Sequence, residues 1–255
     1  MKILICGYGN IGRFIFNEIR NSSHDITIYD PNIQYYSLKE TLTDCYDVAF
    51  VCVPTDKLTN GSADVSIVRD ITGDLVNTRV IVIKSAVPVG TAEMLASFTG
   101  KDNIVISPEY YGTTQHSSNS PDFIVLGGKL QYCSTAADVY TKVKSGGFRI
   151  KFTDWKTAEL AKYMENCFLA LKVTFCAEFF DVCKEYGISY NELREIFVMD
   201  CRMGDSHTFV YPDKPYYDSH CLNKDIPAFV NMANGKAPLM EAVDRINLKK
   251  KEINS

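Results

Sequence analysis

The segment Lys2-Ile3-Leu4-Ile5-Cys6-Gly7-Tyr8-Gly9-Asn10-Ile11-Gly12 decides the fold of the first half of this chain. A short apolar strand runs directly into a Gly-x-Gly-x-x-Gly turn, and a helical pattern follows. The first glycine permits a tight turn, the second lets backbone approach a pyrophosphate, and the third lets the helix pack closely on the sheet. The sequence therefore predicts a dinucleotide-binding turn formed by Gly7, Gly9, Asn10, Ile11 and Gly12.

The next predicted strand ends in Asp30, eighteen residues after Gly12. A carboxylate at this position accepts hydrogen bonds from the adenosine ribose, and no neighbouring arginine is present to hold a 2′-phosphate. We therefore predict NAD as the cofactor. Because ligands bind at the carboxyl ends of parallel strands, Val53-Pro54-Thr55 and Ser85 are also predicted to line the cofactor crevice. Ordinary strand-to-loop punctuation is the alternative interpretation of these two strand ends.

Strand and helix patterns alternate through the first half, which predicts a Rossmann-like, doubly wound parallel sheet covered by helices. Strands are expected at 2–6, 25–30, 47–53, 79–84, 103–107, 123–126 and 148–152, and helices at 10–20, 64–74, 91–98 and 136–144. The second half is predicted to be all-helical, with helices at 154–187, 190–200, 222–232 and 239–248 and a long loop at 202–220. We expect a cofactor domain at 1–152 and a helical domain at 153–255.

The long helix 154–187 is apolar on nearly every side, so every side requires cover. The rest of the second half is too small to supply all of it. The sequence therefore predicts a homodimer formed through this helix.

Composition excludes several other classes of partner. The 255 residues carry 27 Lys plus Arg against 31 Asp plus Glu, a net charge of -4, which gives no electrostatic basis for nucleic-acid binding. The richest apolar stretch is interrupted by charged residues such as Lys162 and Asp181, which argues against a membrane span. We expect no metal site and, with no signal-peptide pattern and nine cysteines without a CxxC pair, a reducing, cytoplasmic location.

Two features of the second half suggest chemistry. Lys162 and Asn166 lie four residues apart on one helix face, where an ammonium and an amide could stabilise an oxyanion; a solvated stripe is the alternative. Cys221 stands beside His220 and near Lys224, cationic or potentially cationic neighbours that favour a reactive thiolate. The other cysteines mostly lie in apolar runs, where inert packing is the default.

Taken together, these motifs resemble the UDP-glucose/GDP-mannose dehydrogenase family over nearly the whole chain. The motifs are, in order, the glycine turn with Asp30, Cys52-Val53-Pro54-Thr55, Lys84-Ser85-Ala86-Val87-Pro88-Val89-Gly90-Thr91, Ser107-Pro108-Glu109-Tyr110-Tyr111, Pro121-Asp122-Phe123-Ile124-Val125-Leu126-Gly127-Gly128, Ala158-Glu159-Leu160-Ala161-Lys162-Tyr163 with Asn166, and Cys221-Leu222-Asn223-Lys224-Asp225.

The resemblance implies an NAD-dependent oxidation of a nucleotide sugar, with a UDP-sugar favoured, from the C6 alcohol to the carboxylate in two hydride transfers. It implies that Cys221 forms a thiohemiacetal and then a thioester, which water hydrolyses. The other roles it implies are oxyanion stabilisation by Lys162 and Asn166, water activation by Asp225, acid/base chemistry at Glu109, cofactor contact at Lys224, and substrate contact at Glu109, Tyr110, Tyr111, Lys162, Asn166 and His220.

The chain also departs from the family pattern. Ala86 replaces the usual threonine, Tyr216–His220 replaces a glycine-rich approach to the cysteine, and the sequence ends where a third domain is expected. Two alternatives therefore stay open. One is a non-catalytic or partner-completed protein that binds NAD or a nucleotide sugar, and the other is a two-electron dehydrogenase of the 6-phosphogluconate type, which would not need Cys221.

Overall fold

The computed structural model describes residues 1–113, 118–119, 121–141, 143–144 and 146–254. The chain divides into two compact units, the first made of Met1–Asp56 and Ala63–Lys162 and the second of Lys57–Ser62 and Tyr163–Ser255. The domains predicted from the sequence at 1–152 and 153–255 stay a prediction, because compactness alone does not show what each part binds.

A seven-stranded sheet organises the first unit, in the order β2-β1-β3-β4-β5-β8-β9. The strands are β1 (Lys2–Cys6), β2 (Asp25–Tyr29), β3 (Tyr46–Val51), β4 (Thr78–Ile83), β5 (Ile104–Ile106), β8 (Phe123–Gly127) and β9 (Arg149–Thr153), and β6 (Gly112–Thr113) pairs with β7 (Ser118–Asn119) in a separate small sheet. Strand β1 pairs in parallel with both β2 and β3, so the strand order reverses at β1. The glycine turn leaves the carboxyl end of this strand, the usual ligand position in such sheets.

Helices cover both faces of this sheet, as the doubly wound prediction requires. The helices of the chain are α1 (Asn10–Ile19), α2 (Ser66–Asp74), α3 (Thr91–Thr99), α4 (Leu130–Thr141), α5 (Trp155–Tyr186), α6 (Tyr190–Val198), α7 (His220–Ala233) and α8 (Pro238–Ile253). Alternate residues of β1 enter opposite cores: Leu4 packs on the side of α2 and α3, and Ile5 packs on the side of α1 and α4. The Rossmann-like fold class is confirmed.

The predicted parallel sheet contains one antiparallel strand pair, at its far edge. Strand β8 pairs antiparallel with β5 at Ile106 and Gly127, and β9 runs parallel to β8. Between β5 and β8 the described residues form the short β6–β7 pair and no crossover helix, and antiparallel neighbours need no crossover.

Two helices begin at least two residues earlier than predicted. Helix α4 begins at Leu130, six residues before the predicted start. Helix α7 begins at His220, two residues before its predicted start, because the Ser219 hydroxyl oxygen accepts the N–H of Leu222 at 3.2 Å as an N-cap. Cys221 therefore lies in the first helical turn, and His220, predicted as the last residue of the loop, is already helical. Within the described ranges, no helix has both the length and the apolar content needed to cross a membrane.

A buried carboxylate on α5 fixes the start of α3. Glu159 is only 2% exposed, and its two oxygens accept the N–H groups of Gly90 (2.7 Å) and Ala92 (2.8 Å). No side chain at the N-cap position itself forms a capping bond, and Gly90 has a φ of +96°, which a glycine adopts without strain. Glu159 therefore caps α3 from a distant part of the chain, an interaction with no local sequence signal.

Replacing Glu159 with glutamine is expected to destabilise the fold. The amide oxygen of the glutamine can still accept one of the two backbone N–H groups, but its NH2 group then faces the second N–H, and two donors cannot form a hydrogen bond. The free energy of unfolding should therefore fall by about 1–3 kcal/mol. Chemical denaturation measures this loss. The exposed Glu178 on the same helix provides the control, and Glu178→Gln should change stability by less than about 0.5 kcal/mol. Equal effects of the two substitutions would contradict the capping role.

Candidate dinucleotide site and candidate nucleophile

The glycine turn has the geometry that a bound pyrophosphate requires. Gly7 has a φ of +88°, and its N–H donates to the carbonyl oxygen of Tyr29 at 2.8 Å. A Cβ on Gly12 would lie 1.9 Å from the carbonyl oxygen of Gly7, so only glycine allows this close helix–strand approach. A Cβ on Gly9 would meet no atom within 4 Å, which leaves open space at the start of α1. Backbone N–H groups at a helix start bind phosphate, so the turn fits the cofactor.

Asp30 is held rigidly beside this turn. Its Oδ2 accepts the N–H of Tyr8 at 2.8 Å, and its Oδ1 accepts the N–H of Asn32 at 2.9 Å. A carboxylate has about four acceptor positions, so the two oxygens can also accept ribose hydroxyls. The sequence analysis overlooked Arg13, whose Nε donates to the carbonyl oxygen of Tyr8 at 3.0 Å and so places an exposed cation beside the turn. The position of Arg13 directly after Gly12 could have indicated that its side chain lies near the turn.

The two strand ends predicted to line the crevice are tied to each other. Thr55 Oγ1 donates to the carbonyl oxygen of Ala86 at 2.9 Å, and Ser85 Oγ donates to the carbonyl oxygen of Val53 at 2.6 Å. Thr55 is 2% exposed, whereas Pro54 is exposed. Both hydroxyls therefore hold the loops that follow β3 and β4.

A buried ion pair lies behind these loops. Lys84 Nζ lies 3.1 Å from Glu109 Oε2, and the two side chains are 1% and 8% exposed. Burial is the largest single effect on each pKa and opposes both charges. The attraction between the pair, together with their hydrogen bonds and other nearby groups, outweighs it, so the pKa of Lys84 lies above, and the pKa of Glu109 below, its usual value. Glu109 is therefore a carboxylate at neutral pH and a poor proton donor. The sequence analysis assigned no role to Lys84.

Glu109 also orders the two tyrosines that follow it. Its Oε1 accepts the N–H of Tyr110 at 2.9 Å and the N–H of Tyr111 at 3.0 Å. Lys162 Nζ lies 4.9 Å from the centre of the Tyr110 ring, within cation–π range, and the Tyr111 ring stacks on Phe14 of α1 with centroids 4.5 Å apart. The first unit thus brings Glu109, Tyr110 and Lys162 together.

The second unit brings three other predicted residues together. Asn166 Nδ2 donates to Asp225 Oδ2 at 2.7 Å, and Lys224 Nζ donates to Asp225 Oδ1 at 2.6 Å. Asn166 is 3% exposed and Asp225 is 2% exposed, so this polar cluster is buried between α5 and α7. Lys224, predicted to contact the cofactor, is placed by the structure against Asp225. The arrangement is a fixed amide, carboxylate and ammonium one turn along α7 from Cys221.

Cys221 and Cys167 have contrasting environments near this cluster. Cys221 is exposed in the first turn of α7, next to the exposed His220. Cys167 is buried, and burial, followed by the charge of Asp225, raises its pKa to about 12, so it stays an inert thiol. Of these two thiols, only that of Cys221 is exposed to solvent.

Helix α8 anchors the loop that leads to Cys221. The side chain of Asn247, 2% exposed, accepts the N–H of Tyr217 at 2.8 Å and donates to its carbonyl oxygen at 3.1 Å. The Tyr217 hydroxyl donates to Asp244 Oδ1 at 3.2 Å. The sequence analysis missed this anchor, since thirty residues separate Asn247 from Tyr217. The loop Tyr216–His220 is therefore held by specific hydrogen bonds at Tyr217.

Comparison with protein families decides where this chain belongs. The NAD-binding domain of the UDP-glucose/GDP-mannose dehydrogenase family matches residues 32–144, and the central domain of the same family matches residues 156–249. The chain belongs to the UDP-glucose/GDP-mannose dehydrogenase family. This match confirms the predicted membership and the predicted cofactor, NAD. The glycine turn precedes residue 32, so its assignment depends on its geometry.

Individual members of this family show the same relationship. A UDP-glucose 6-dehydrogenase of Rhizobium meliloti is 31% identical over 212 residues, 76% of this chain and 47% of the relative. One of Pseudomonas aeruginosa is 29% identical over 237 residues, 85% of this chain and 51% of the relative. The chain thus spans about half the length of these relatives. The structure of a UDP-glucose dehydrogenase from Pyrobaculum islandicum matches with a TM-score of 0.80 at 23% identity, covering 97% of this chain and 68% of that one, which shows a shared fold.

Asp30 tests the assignment of the cofactor site. We expect Asp30→Asn to weaken NAD+ binding about tenfold and to reduce the preference over NADP+, because the carboxylate accepts ribose hydroxyls and repels a 2′-phosphate. Titration of the intrinsic fluorescence measures both dissociation constants. Asp25→Asn, at the other end of β2, is the control and should leave them unchanged. An unaltered NAD+/NADP+ preference in Asp30→Asn would contradict the assignment.

Proposed function

We propose that this chain oxidises the C6 alcohol of a nucleotide sugar to a carboxylate, with NAD+ as the oxidant and Cys221 as the nucleophile. The observation that carries the proposal is the buried Asn166–Asp225–Lys224 cluster, one helical turn from the exposed Cys221. Buried polar side chains held by each other give a preorganised electrostatic site. Membership of the family supports the reaction class.

The proposed reaction has two oxidative stages. NAD+, which the glycine turn and Asp30 would hold, would supply the hydride acceptor in each, and a second NAD+ would replace the first NADH between the stages. In the first, C6 loses a hydride and its hydroxyl loses a proton, which gives an aldehyde. In the second, Cys221 Sγ bonds to C6 as the C=O π bond opens and the carbonyl oxygen takes up the thiol proton. The thiohemiacetal then loses a hydride from C6 and a proton from its hydroxyl to become a thioester. Water then attacks C6, the C–S bond breaks, and the thiol and the sugar carboxylate are released.

Each polar residue has a defined part in this sequence. Lys162 and the second N–H of Asn166, the one not given to Asp225, stabilise the oxygen on C6 as it becomes negative. Asp225 accepts hydrogen bonds at both oxygens and orients the hydrolytic water. Glu109, ion-paired with Lys84, transfers no proton in this sequence and holds the backbone N–H groups of Tyr110 and Tyr111. We propose a UDP-sugar as the substrate, contacted by Tyr110, Tyr111 and His220.

Substitution of Cys221 distinguishes this proposal from its alternatives. Cys221→Ser should reduce formation of the sugar acid by at least about a thousandfold, because no thioester can form, while NAD+ binding is retained. Chromatography of UDP-sugar reactions measures the acid. The matched control is Cys201→Ser, a second exposed cysteine of the same unit, which should retain full activity.

Two outcomes would contradict the proposed function. Full activity in Cys221→Ser would indicate a two-electron dehydrogenase of the 6-phosphogluconate type. Tight NAD+ binding by the wild-type chain, without turnover of any UDP- or GDP-sugar, would indicate a non-catalytic or partner-completed protein.

We also propose that a second copy of the chain covers an exposed apolar stripe on α5. The stripe, at spacings of three, four and seven residues, consists of Met164 (74% exposed), Phe168 (60%), Phe175 (43%), Phe179 (44%), Val182 (51%) and Tyr186 (75%). Its length along one helix face exceeds what isolated surface residues explain, and large apolar patches mark association sites. In a two-fold symmetric dimer, the α5 helices of the two copies would pack against each other and bury this stripe.

Charges on the stripe should therefore separate the copies. For the double variant Phe168→Glu/Val182→Glu we expect a mass of 28.7 kDa by light scattering, where the wild-type chain shows twice that value. The exposed Glu178→Gln on the same helix is the control and should stay dimeric. A wild-type mass of 28.7 kDa at micromolar concentration would overturn the dimer.

A further inference from the structure

Lys84 is the most deeply buried cation of the described residues, and the proposed reaction gives it no direct part. It follows β4 directly, and its side chain is 1% exposed. Besides Glu109, its ammonium reaches the hydroxyl of Ser107 at 3.4 Å. Burying a charged lysine costs free energy unless a partner of opposite charge compensates for the lost hydration. The question is therefore which groups compensate for the charge of Lys84 and what they hold in place.

Glu109 is the group that balances this charge. Cys52, directly after β3, and Tyr140, on α4, are the other titratable groups that act on Lys84. Burial raises the pKa of Cys52 to about 12 and the pKa of Tyr140 above its usual value, so both are neutral at physiological pH. Glu18 of α1 is paired with Lys144.

The contacts continue outward from this pair. Glu109 uses one oxygen for Lys84 and the other for the N–H groups of Tyr110 and Tyr111. The Tyr110 ring lies against the Phe123 ring, with centroids 4.9 Å apart, and against the ammonium of Lys162. Glu109 and Tyr110 therefore connect the two lysines. One is the buried Lys84, and the other is Lys162, which is proposed to stabilise the oxyanion.

We propose that Lys84 is a positioning residue: it holds Glu109 as a structural carboxylate, and the Glu109 turn places Tyr110 against the ammonium of Lys162. The expected effect on kcat rests on the proposed dehydrogenase function. The contact between Tyr110 and Lys162 does not depend on that function and can be tested without it. In this arrangement Glu109 transfers no proton in either oxidation.

A double-variant cycle tests this role. Lys84→Met leaves a buried carboxylate unpaired, and Glu109→Gln turns an amide NH2 group towards a buried ammonium, so each should reduce kcat about 10- to 100-fold by displacing the Tyr110 segment. The combined variant Lys84→Met/Glu109→Gln removes both charges and keeps an amide oxygen for the Tyr110 and Tyr111 N–H groups. It should recover most of the wild-type kcat and its pH profile.

The same combined variant can overturn the proposal even if Lys84→Met fails to fold. If Glu109 acts as an acid or base, glutamine cannot replace it, and the combined variant stays as inactive as Glu109→Gln. That result would refute the structural role.

A second measurement needs no turnover. Reductive methylation of the full chain with 13C-formaldehyde places reporter methyl groups on Lys162, whose signal is assigned by its loss in Lys162→Arg. The Tyr110 ring current should shift this signal upfield in the wild type, the shift should disappear in Lys84→Met or Glu109→Gln, and it should return in the combined variant. The signal of Lys156, an exposed lysine on the same helix, is the control and should not move.

The two measurements separate this proposal from the proposed function. A Lys162 signal that is the same in all variants would overturn the positioning role, whatever the kinetics. A signal that responds as expected, in a chain that oxidises no nucleotide sugar, would support the positioning role and refute the proposed function.

Discussion

The hydrogen bond from Asn166 to Asp225, 2.7 Å long and buried, joins the long helix α5 to the helix that carries Cys221. An unpaired carboxylate at 2% exposure would cost several kcal/mol, so this bond favours the packing of α7 on α5 in which the amide and the carboxylate meet. Lys224 satisfies the other carboxylate oxygen. Since Cys221 lies one turn before Asp225 on α7, the bond that satisfies the buried carboxylate also fixes the position of the thiol.

The same constraint operates in the first unit. Glu109 and Glu159 are buried carboxylates, and each is satisfied by donors distant in sequence or by a charged partner. Glu159 fixes the first turn of α3, and Glu109 fixes the backbone of Tyr110 and Tyr111, which follow β5. Groups fixed in this way need no reorganisation when charge develops on a substrate, which is the physical basis of electrostatic preorganisation. The contacts that satisfy these buried polar groups therefore also fix their positions.

Much of the fold followed from local sequence signals. The glycine turn, Asp30 and the alternation of strands and helices depend on turn chemistry and hydrophobic period, which act over a few residues. The antiparallel direction of β8 could not be predicted, because an apolar strand pattern is the same in either direction. The start of α7 could have been predicted, since Ser219 is a standard N-cap residue that the sequence analysis did not use.

The candidate site was predictable in its residue types but not in its pairings. Cys221, Asn166 and Asp225 were identified by motif and spacing, but the bond between the last two joins positions 59 residues apart. Lys84 follows an apolar strand, where a lysine is usually a solvated strand end, and only the fold shows that it is buried against Glu109. The hydrogen bonds between Asn247 and Tyr217 are likewise tertiary contacts that no local sequence pattern predicts.

The central claim is that one site carries an alcohol through to an acid by way of a Cys221 thioester. Its most direct test is the stoichiometry of NADH formed per nucleotide sugar consumed, measured by absorbance and chromatography on the full chain supplied with excess NAD+ and a UDP-sugar. The account predicts two NADH and one sugar carboxylate for each substrate molecule. One NADH for each substrate, with an aldehyde or ketone as the final product, would contradict it.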